Sequence, residues 1–283
     1  MFPLGSGTVP DTAVDLDQRL AGGLQQILRP EAGEIGVHSR LGDGDAGTTG
    51  AAARPIAQLD LDLTGVRIGV REKDEIAEPA EESSLTRVDR LTLRGEPVTV
   101  QEVPVTVSAE VENLPVRYRR REDGQWWFEA DDRADDHRAV SGRVEASSPL
   151  ADLEGVVSAL ASERLAATGF TLTDLRLRVI RASNRRAEIE VDVALRRGIL
   201  RASVTGTATA SVGTDMVVTL ADLEVTSTSP LVSMALPALR GRLARWEGHQ
   251  VDLGAFTFGG ATVRDVELIV TETTVGVRAE IGG

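Results

Sequence analysis

Leu200-Arg201-Ala202-Ser203-Val204-Thr205-Gly206-Thr207-Ala208-Thr209-Ala210-Ser211-Val212 alternates without a break between two chemistries. Successive side chains on an extended chain point to opposite sides. Leu200, Ala202, Val204, Gly206, Ala208, Ala210 and Val212 therefore share one face, and Arg201 with the five Ser and Thr positions shares the other. A period of two sustained over this length predicts a long β-strand. Its apolar face shrinks to Ala and Gly for about half its length. Protein interiors are close-packed, so something bulky must occupy the space above it. Either a helix of the same chain lies there, or a ligand does.

The neighbouring segments share that periodicity. Leu172–Ile180, Ala187–Leu195 and Met216–Val225 read as strands, and in the second of these Ile189, Val191, Val193 and Leu195 face one way. Short connections between them predict antiparallel pairing. Upstream, Ser148-Pro149 opens a helix that runs to Gly169 with Leu150, Leu153, Val157, Leu160, Ala161 and Leu165 as its apolar stripe. Downstream, Ser229-Pro230-Leu231 opens another that runs to about Glu247, kinked near Pro237. The repeated Ser-Pro-Leu hints at related halves, 11–145 and 146–283, within one elongated domain spanning 1–283.

The first half carries the same signals. Val14, Leu16, Leu20, Leu24, Ile27 and Leu28 recur at helical spacing between an Asp11 cap and Pro30, after a short end, 1–10, that reads as flexible. Gly42–Ala53 is a small, polar loop. Leu59–Leu63 and Val66–Val70 alternate as strands around a Thr64-Gly65 bend or hairpin turn. After a break at Glu72–Ser84 come Leu85–Leu93, Val98–Val107 and Leu114–Arg121. The phase slip at Gln101-Glu102 suggests a β-bulge, and Pro104 an edge strand. Asp123-Gly124 then predicts a hairpin that sets Arg121 against Trp126 and Arg120 against Trp127, ahead of a solvated acidic run, Asp131–Asp136. Val263–Val270 and Thr274–Ile281 close the chain. The fold class is α+β: a curved, mainly antiparallel sheet wrapped around two or three amphipathic helices.

Composition narrows the function. The chain has 283 residues and a net charge of 31 − 44 = −13, which argues against a nucleic-acid partner. Hydrophobic residues make up 41%, enough to bury a real core. There is no cysteine, so disulfides, thiolate metal sites and thiol nucleophiles are excluded. No run of about 18 apolar residues occurs and no secretory signal opens the chain, so a cytoplasmic location is expected, with peripheral membrane contact open. His38, His137 and His249 lie about 100 residues apart with no metal-ligand spacing. Asp43-Gly44-Asp45 starts like a calcium loop, but Arg54 stands where its last carboxylate belongs. Nucleophile-elbow, phosphate-loop and dinucleotide motifs are missing, so a non-enzymatic protein with no cofactor and no metal is expected.

Three features could carry function. The small-residue face of Ala202, Val204, Gly206, Ala208 and Ala210, with Leu153, Val157 and Leu160 of one helix and Leu236, Leu239 and Leu243 of the other, could line a groove. Only nine residues are aromatic, and an aliphatic lining suits acyl chains, whose burial gains roughly 0.8 kcal/mol per CH₂, better than bases or sugars. Arg240, Arg242, Arg245 and Trp246 either complement a helix C-terminus or meet a headgroup from a lid. Trp126, Trp127, Arg120 and Arg121 form either a protected edge hairpin or a membrane-interface patch.

The order of elements also carries a resemblance. The first amphipathic helix, Gln58-Leu59-Asp60-Leu61-Asp62-Leu63-Thr64-Gly65-Val66-Arg67-Ile68, and Val263-Arg264-Asp265-Val266-Glu267-Leu268 with Val275-Gly276-Val277-Arg278-Ala279 resemble the LmeA-like phospholipid-binding proteins. Those belong with the tubular lipid-binding (TULIP-like) folds. The resemblance implies a curved antiparallel sheet around a long helix, a groove for acyl chains, and a lipid carrier or lipid-binding module without covalent chemistry. The alternative is a structural or protein-interaction module with a fully packed interior and an acidic surface. Ligand identity and oligomeric state are not encoded in any of these patterns.

Overall fold

The structure, a computed structural model, describes residues 2–43, 53–69, 83–100, 102–132, 139–166, 169–227, 229, 247–248, 250–255 and 257–283. Most of them are β-strand, and two helices occur among them. The helix expected over 230–247 falls outside the described residues, apart from Glu247. So do His249, residues 133–138 with His137 among them, and residues 44–52 and 70–82.

Helix α1 (Ala13–Leu28) starts one residue later than Asp11 would place it, because the Thr12 hydroxyl accepts the Asp15 N–H at 3.3 Å. Arg29, in the left-handed region at φ 43°, ends it before Pro30. Leu16, Leu20, Gly23 and Leu24 form its buried face.

The first sheet contains the strands β1 (Phe2–Ser6), β2 (Gly36–Leu41), β3 (Ile56–Asp62), β4 (Arg67–Ile68), β5 (Ser83–Val100), β6 (Val103–Arg120), β7 (Gln125–Ala130) and β8 (Ser141–Pro149), of which β1 and β2 pack against α1. They join β14 (Thr257–Phe258), β15 (Ala261–Val270) and β16 (Thr274–Gly282) in the order β14-β15-β16-β8-β6-β5-β3-β2, with β4 also on β5, β7 on β6 and β1 on β7. The sheet is mixed, since β3 and β4 both run parallel to β5.

One local alternative is resolved and several expectations change. Thr64-Gly65 is a bend and not a hairpin turn: the Asp62 carboxylate accepts the Thr64 N–H at 2.8 Å, Gly65 sits at φ 77°, and the chain carries on along the same partner strand. Three expected strands are two long ones, and the bulge expected at Gln101-Glu102 falls between the last residue of β5, Val100, and the first of β6, Val103, with Gln101 itself outside the described residues. Val98 and Val100 lie opposite Val105 and Val103, which accounts for the phase slip. Strand β6 is interior to the sheet, and Pro104 sits near its start, opposite Thr99. The N-terminal end that reads as flexible forms β1, with Leu4 buried and Phe2 opposite Phe128. Its partner lies over a hundred residues away, beyond any local pattern.

A second sheet is antiparallel throughout: β13 (Gln250–Asp252), β12 (Val217–Thr226), β11 (Leu200–Val212), β10 (Arg186–Arg197) and β9 (Thr171–Ser183), in that order. Helix α2 (Leu150–Ala166) packs along β9. Neither sheet closes into a barrel.

The chain divides into two compact units, Met1–Ala146 with Phe256–Arg264 and Ala279–Gly283, and Ser147–Ala255 with Asp265–Arg278. The first has a core in which Leu16 and Leu20 of α1 meet Ile56, Leu59, Val88, Val116 and Tyr118. In the second, Leu175, Ala187, Val212, Met216, Val225 and Val266 are the buried hydrophobics among the described residues.

Candidate functional site

The second unit's sheet sorts its side chains by face. Cross-strand register lines up Val179, Ile189 and Ala208; Leu177, Val191, Gly206 and Val225; Leu175, Val193 and Val204; and Leu172, Leu195 and Ala202. Each row is aliphatic. Strand β11 contributes its smallest member in three of the four, so the face is lower along β11 than along β10. A Cβ built on Gly206 would meet only the Glu224 carbonyl oxygen, at 3.8 Å. Most of these residues are half-buried and not fully buried. The opposite face is ionic: Arg178 pairs with Glu190 and Asp192, Arg181 lies 4.0 Å from Glu188, and the Thr205 hydroxyl donates to Asp192 at 2.7 Å. The Thr205 hydrogen bond, then Arg178, hold the Asp192 carboxyl below its ordinary pKa.

Of the groove residues expected from sequence, Ala202, Val204, Gly206, Ala208 and Ala210 do share one face with β10 and β12 neighbours. On α2, Leu153 is half-buried, whereas Val157 is exposed and Leu160 is 53% exposed. The helix is held along β9 by Glu154, whose carboxylate accepts the Leu177 N–H at 2.9 Å. Leu236, Leu239, Leu243, Arg240, Arg242, Arg245 and Trp246 lie outside the described residues.

The β10–β11 hairpin brings together residues that the sequence reading passed over. Gly198-Ile199 is its two-residue turn, with Gly198 at φ 61° as a type II′ turn requires of its first position. Arg196 stands directly opposite Arg201, and Arg197 lies over the Phe170 ring at 5.3 Å. Ile199 is 98% exposed and Leu200 is exposed beside it. A cavity of about 360 Å³ is lined by Thr173, Ala194, Leu195, Arg196, Arg201 and Ala202. The run Arg196-Arg197-Gly198-Ile199-Leu200-Arg201 was the available signal: a turn glycine followed by bare apolar residues between arginines.

The tryptophan hairpin departs from the expected register by one residue. Arg121 and Gln125 close a three-residue loop with Gly124 at φ 80°, so Arg120 lies opposite Trp126 and Arg119 opposite Trp127. The Arg121 guanidinium stacks on Trp127 at 3.6 Å, and Arg120 lies 6.0 Å from the Trp126 ring. Trp126 and Trp127 are only 6% and 8% exposed, and the Trp126 indole N–H donates to the Gly7 carbonyl at 2.9 Å. Both indoles therefore pack inside the first unit, and β7 lies between β6 and β1, so the rings form neither the membrane-interface patch nor the protected edge hairpin that were the two alternatives.

Nearby, the first unit has a partly open pocket of about 340 Å³, lined among others by Phe2, Leu20, Leu24, Leu59, Leu114 and Phe128, with Glu129 and Asp132 as polar members. That is more than twice the ~150 Å³ of an aliphatic cavity that takes up benzene. His38 is largely exposed, 3.8 Å from Asp17, and no group of three His, Asp or Glu suited to a metal occurs among the described residues. No helix among them is long and apolar enough to cross a membrane.

Comparison with protein-family models, with curated proteins and with solved structures returns no match.

Proposed function

We propose that the protein binds the acyl chain of a phospholipid or fatty acid on the aliphatic face of the second sheet, without covalent chemistry. One observation carries the reading. Rows of Leu, Ile and Val on β9 and β10 run beside a β11 face reduced mostly to Ala and Gly, and most of that face stays half-buried. Leaving such a face wet is costly, and a flexible chain of methylenes is the occupant whose shape and chemistry match a long, low, aromatic-free strip. The apolar cavity of the first unit is a separate observation in the same direction, its volume within the range of roughly 300–1,000 Å³ that holds small ligands.

The reading takes with it the finer picture drawn from sequence, a TULIP-like curved sheet around amphipathic helices in an LmeA-like lipid carrier. In that picture Leu236, Leu239 and Leu243 cover the chain, while Arg240, Arg242 and Arg245 meet its headgroup through charge-assisted hydrogen bonds. Element order and residue pattern support it.

The test is native mass spectrometry of the purified protein, before and after incubation with a fatty acid and a phospholipid. Lipid-sized adducts, with uptake of a fluorescent fatty acid from solution, are expected. Consistent absence of both overturns the proposal.

A further inference from the structure

The tip of the β10–β11 hairpin is built against the interests of folding. Arg196 and Arg201 are directly opposed across the strands, where like charges destabilise the pair. Neither has an ion-pair partner among the described residues, and two carboxylates on the neighbouring strands are engaged elsewhere: Asp174 of β9 with Arg176 at 3.2 Å, and Asp192 of β10 with Arg178 and Thr205. Ile199, at 98% exposure, contributes no burial, and the second position of such a turn needs no aliphatic side chain. Arg196, Arg197 and Arg201 thus surround a bare Ile199-Leu200 dipeptide on a protein whose overall charge is −13.

From this juxtaposition we infer that residues 196–201 form a docking surface for an anionic lipid bilayer. The arginines meet lipid phosphates, and Ile199 and Leu200 enter the headgroup–acyl boundary. Charge complementarity selects this occupant: guanidinium groups without carboxylate partners attract an anionic surface, and apolar side chains projecting beyond them gain only if that surface has an apolar interior. The 360 Å³ cavity beside Arg196 and Arg201 provides room for a headgroup. Screening limits the reach of charge to about 8 Å at physiological ionic strength, so the local arginines outweigh the acidic remainder and orient the molecule tip-first. The inference deepens the acyl-binding reading and rests on it for the purpose of docking, but the two fail separately.

The experiment is co-sedimentation of the full chain with vesicles of phosphatidylcholine alone or mixed with phosphatidylglycerol. Partition is expected onto the anionic vesicles, weakened by salt. R196Q/R201Q is expected to lower it by about tenfold or more, near the expected loss for two basic residues, and Ile199→Ser to lower it further. Arg196→Glu separates docking from folding: it replaces a cross-strand repulsion with an ion pair, so thermal stability is expected to hold or rise while partition falls. Fatty-acid uptake from solution is expected to be unchanged in all three variants. Failure of the wild-type chain to prefer anionic vesicles, or equal partition by the variants, overturns the docking surface. Absence of uptake with docking intact overturns the acyl reading instead.

Discussion

Gly23 of α1 lies directly beneath the backbone carbonyl of Pro3, so close that a Cβ at Gly23 would sit well inside van der Waals contact with that oxygen. The helix costs itself propensity to admit β1, and the adjoining Gly22, exposed with nothing within 4 Å of its would-be Cβ, does not share that duty. Gly22→Ala is expected to stabilise the protein by up to ~1 kcal/mol through helix propensity alone. Gly23→Ala is expected to destabilise it by ~1–3 kcal/mol, the typical range for overpacking. Denaturant melts of the two variants check this; equal shifts would mean that β1 does not press on the helix.

Filling the low strip of the second sheet is expected to separate ligand uptake from stability. Gly206→Val adds two methyls beyond a Cβ position that, among the described residues, has only the Glu224 carbonyl oxygen within 4 Å, at 3.8 Å. Thermal stability should hold, since Val suits a strand better than Gly. Fatty-acid affinity should fall about tenfold if those methyls displace two methylenes at ~0.8 kcal/mol each. A titration with a fluorescent fatty acid reads the effect.

Arg117 and Asp131 form the most secluded ion pair among the described residues of the first unit, 2.7 Å apart with side chains 8% and 11% exposed. Asp131→Ala leaves the guanidinium buried without that carboxylate and is expected to cost about 3–5 kcal/mol. Replacing both partners with Met and Leu should cost far less, because no charge is then stranded. Urea unfolding of the single and double variants distinguishes the two outcomes.

Tyr118, the chain's one tyrosine, is buried beside Phe128, and burial raises its phenol pKa above the ordinary 10.0. The native state therefore keeps a proton that the unfolded chain gives up. Its contribution to stability is complete below pH 10 and is lost as pH rises beyond that value. An absorbance titration should show no phenolate until the pH is well past 10 or the protein unfolds. A normal titration in the folded state would contradict the burial.

Asp192 behaves in the opposite sense. Its pKa is lowered, first by the Thr205 hydroxyl and then by Arg178, so its contribution is present above the ordinary 3.8 and disappears as pH falls below it. Thr205→Val is expected to move the Asp192 carboxyl resonance titration upward in NMR, toward 3.8. An unchanged midpoint would mean the hydroxyl does not hold the carboxylate.

The alternation at 200–212, and the aliphatic rows of 172–180 and 187–195, were readable because each is a local repeat of one chemistry at one period. So was the placement of Ala202 through Ala210 on one face, which needs only the pleat of a strand. Partners were another matter. Nothing near Phe2 announces Phe128, and nothing in Leu59–Leu63 says that it runs parallel to β5. The burial of Trp126 and Trp127 was hidden because an indole flanked by arginines has the same pattern whether it packs inside or faces a membrane. The hairpin tip was missed for a related reason: Ile199 looks like any strand aliphatic until the turn lifts it clear of the sheet.

Local alternation, caps and breakers thus determined where strands and α1 would form and which side chains would share a face. Pairing order, parallel or antiparallel sense, and the exposure of each apolar group were decided by tertiary structure. The reason is that these depend on contacts between residues far apart in the chain, whose energies no window of neighbouring residues contains.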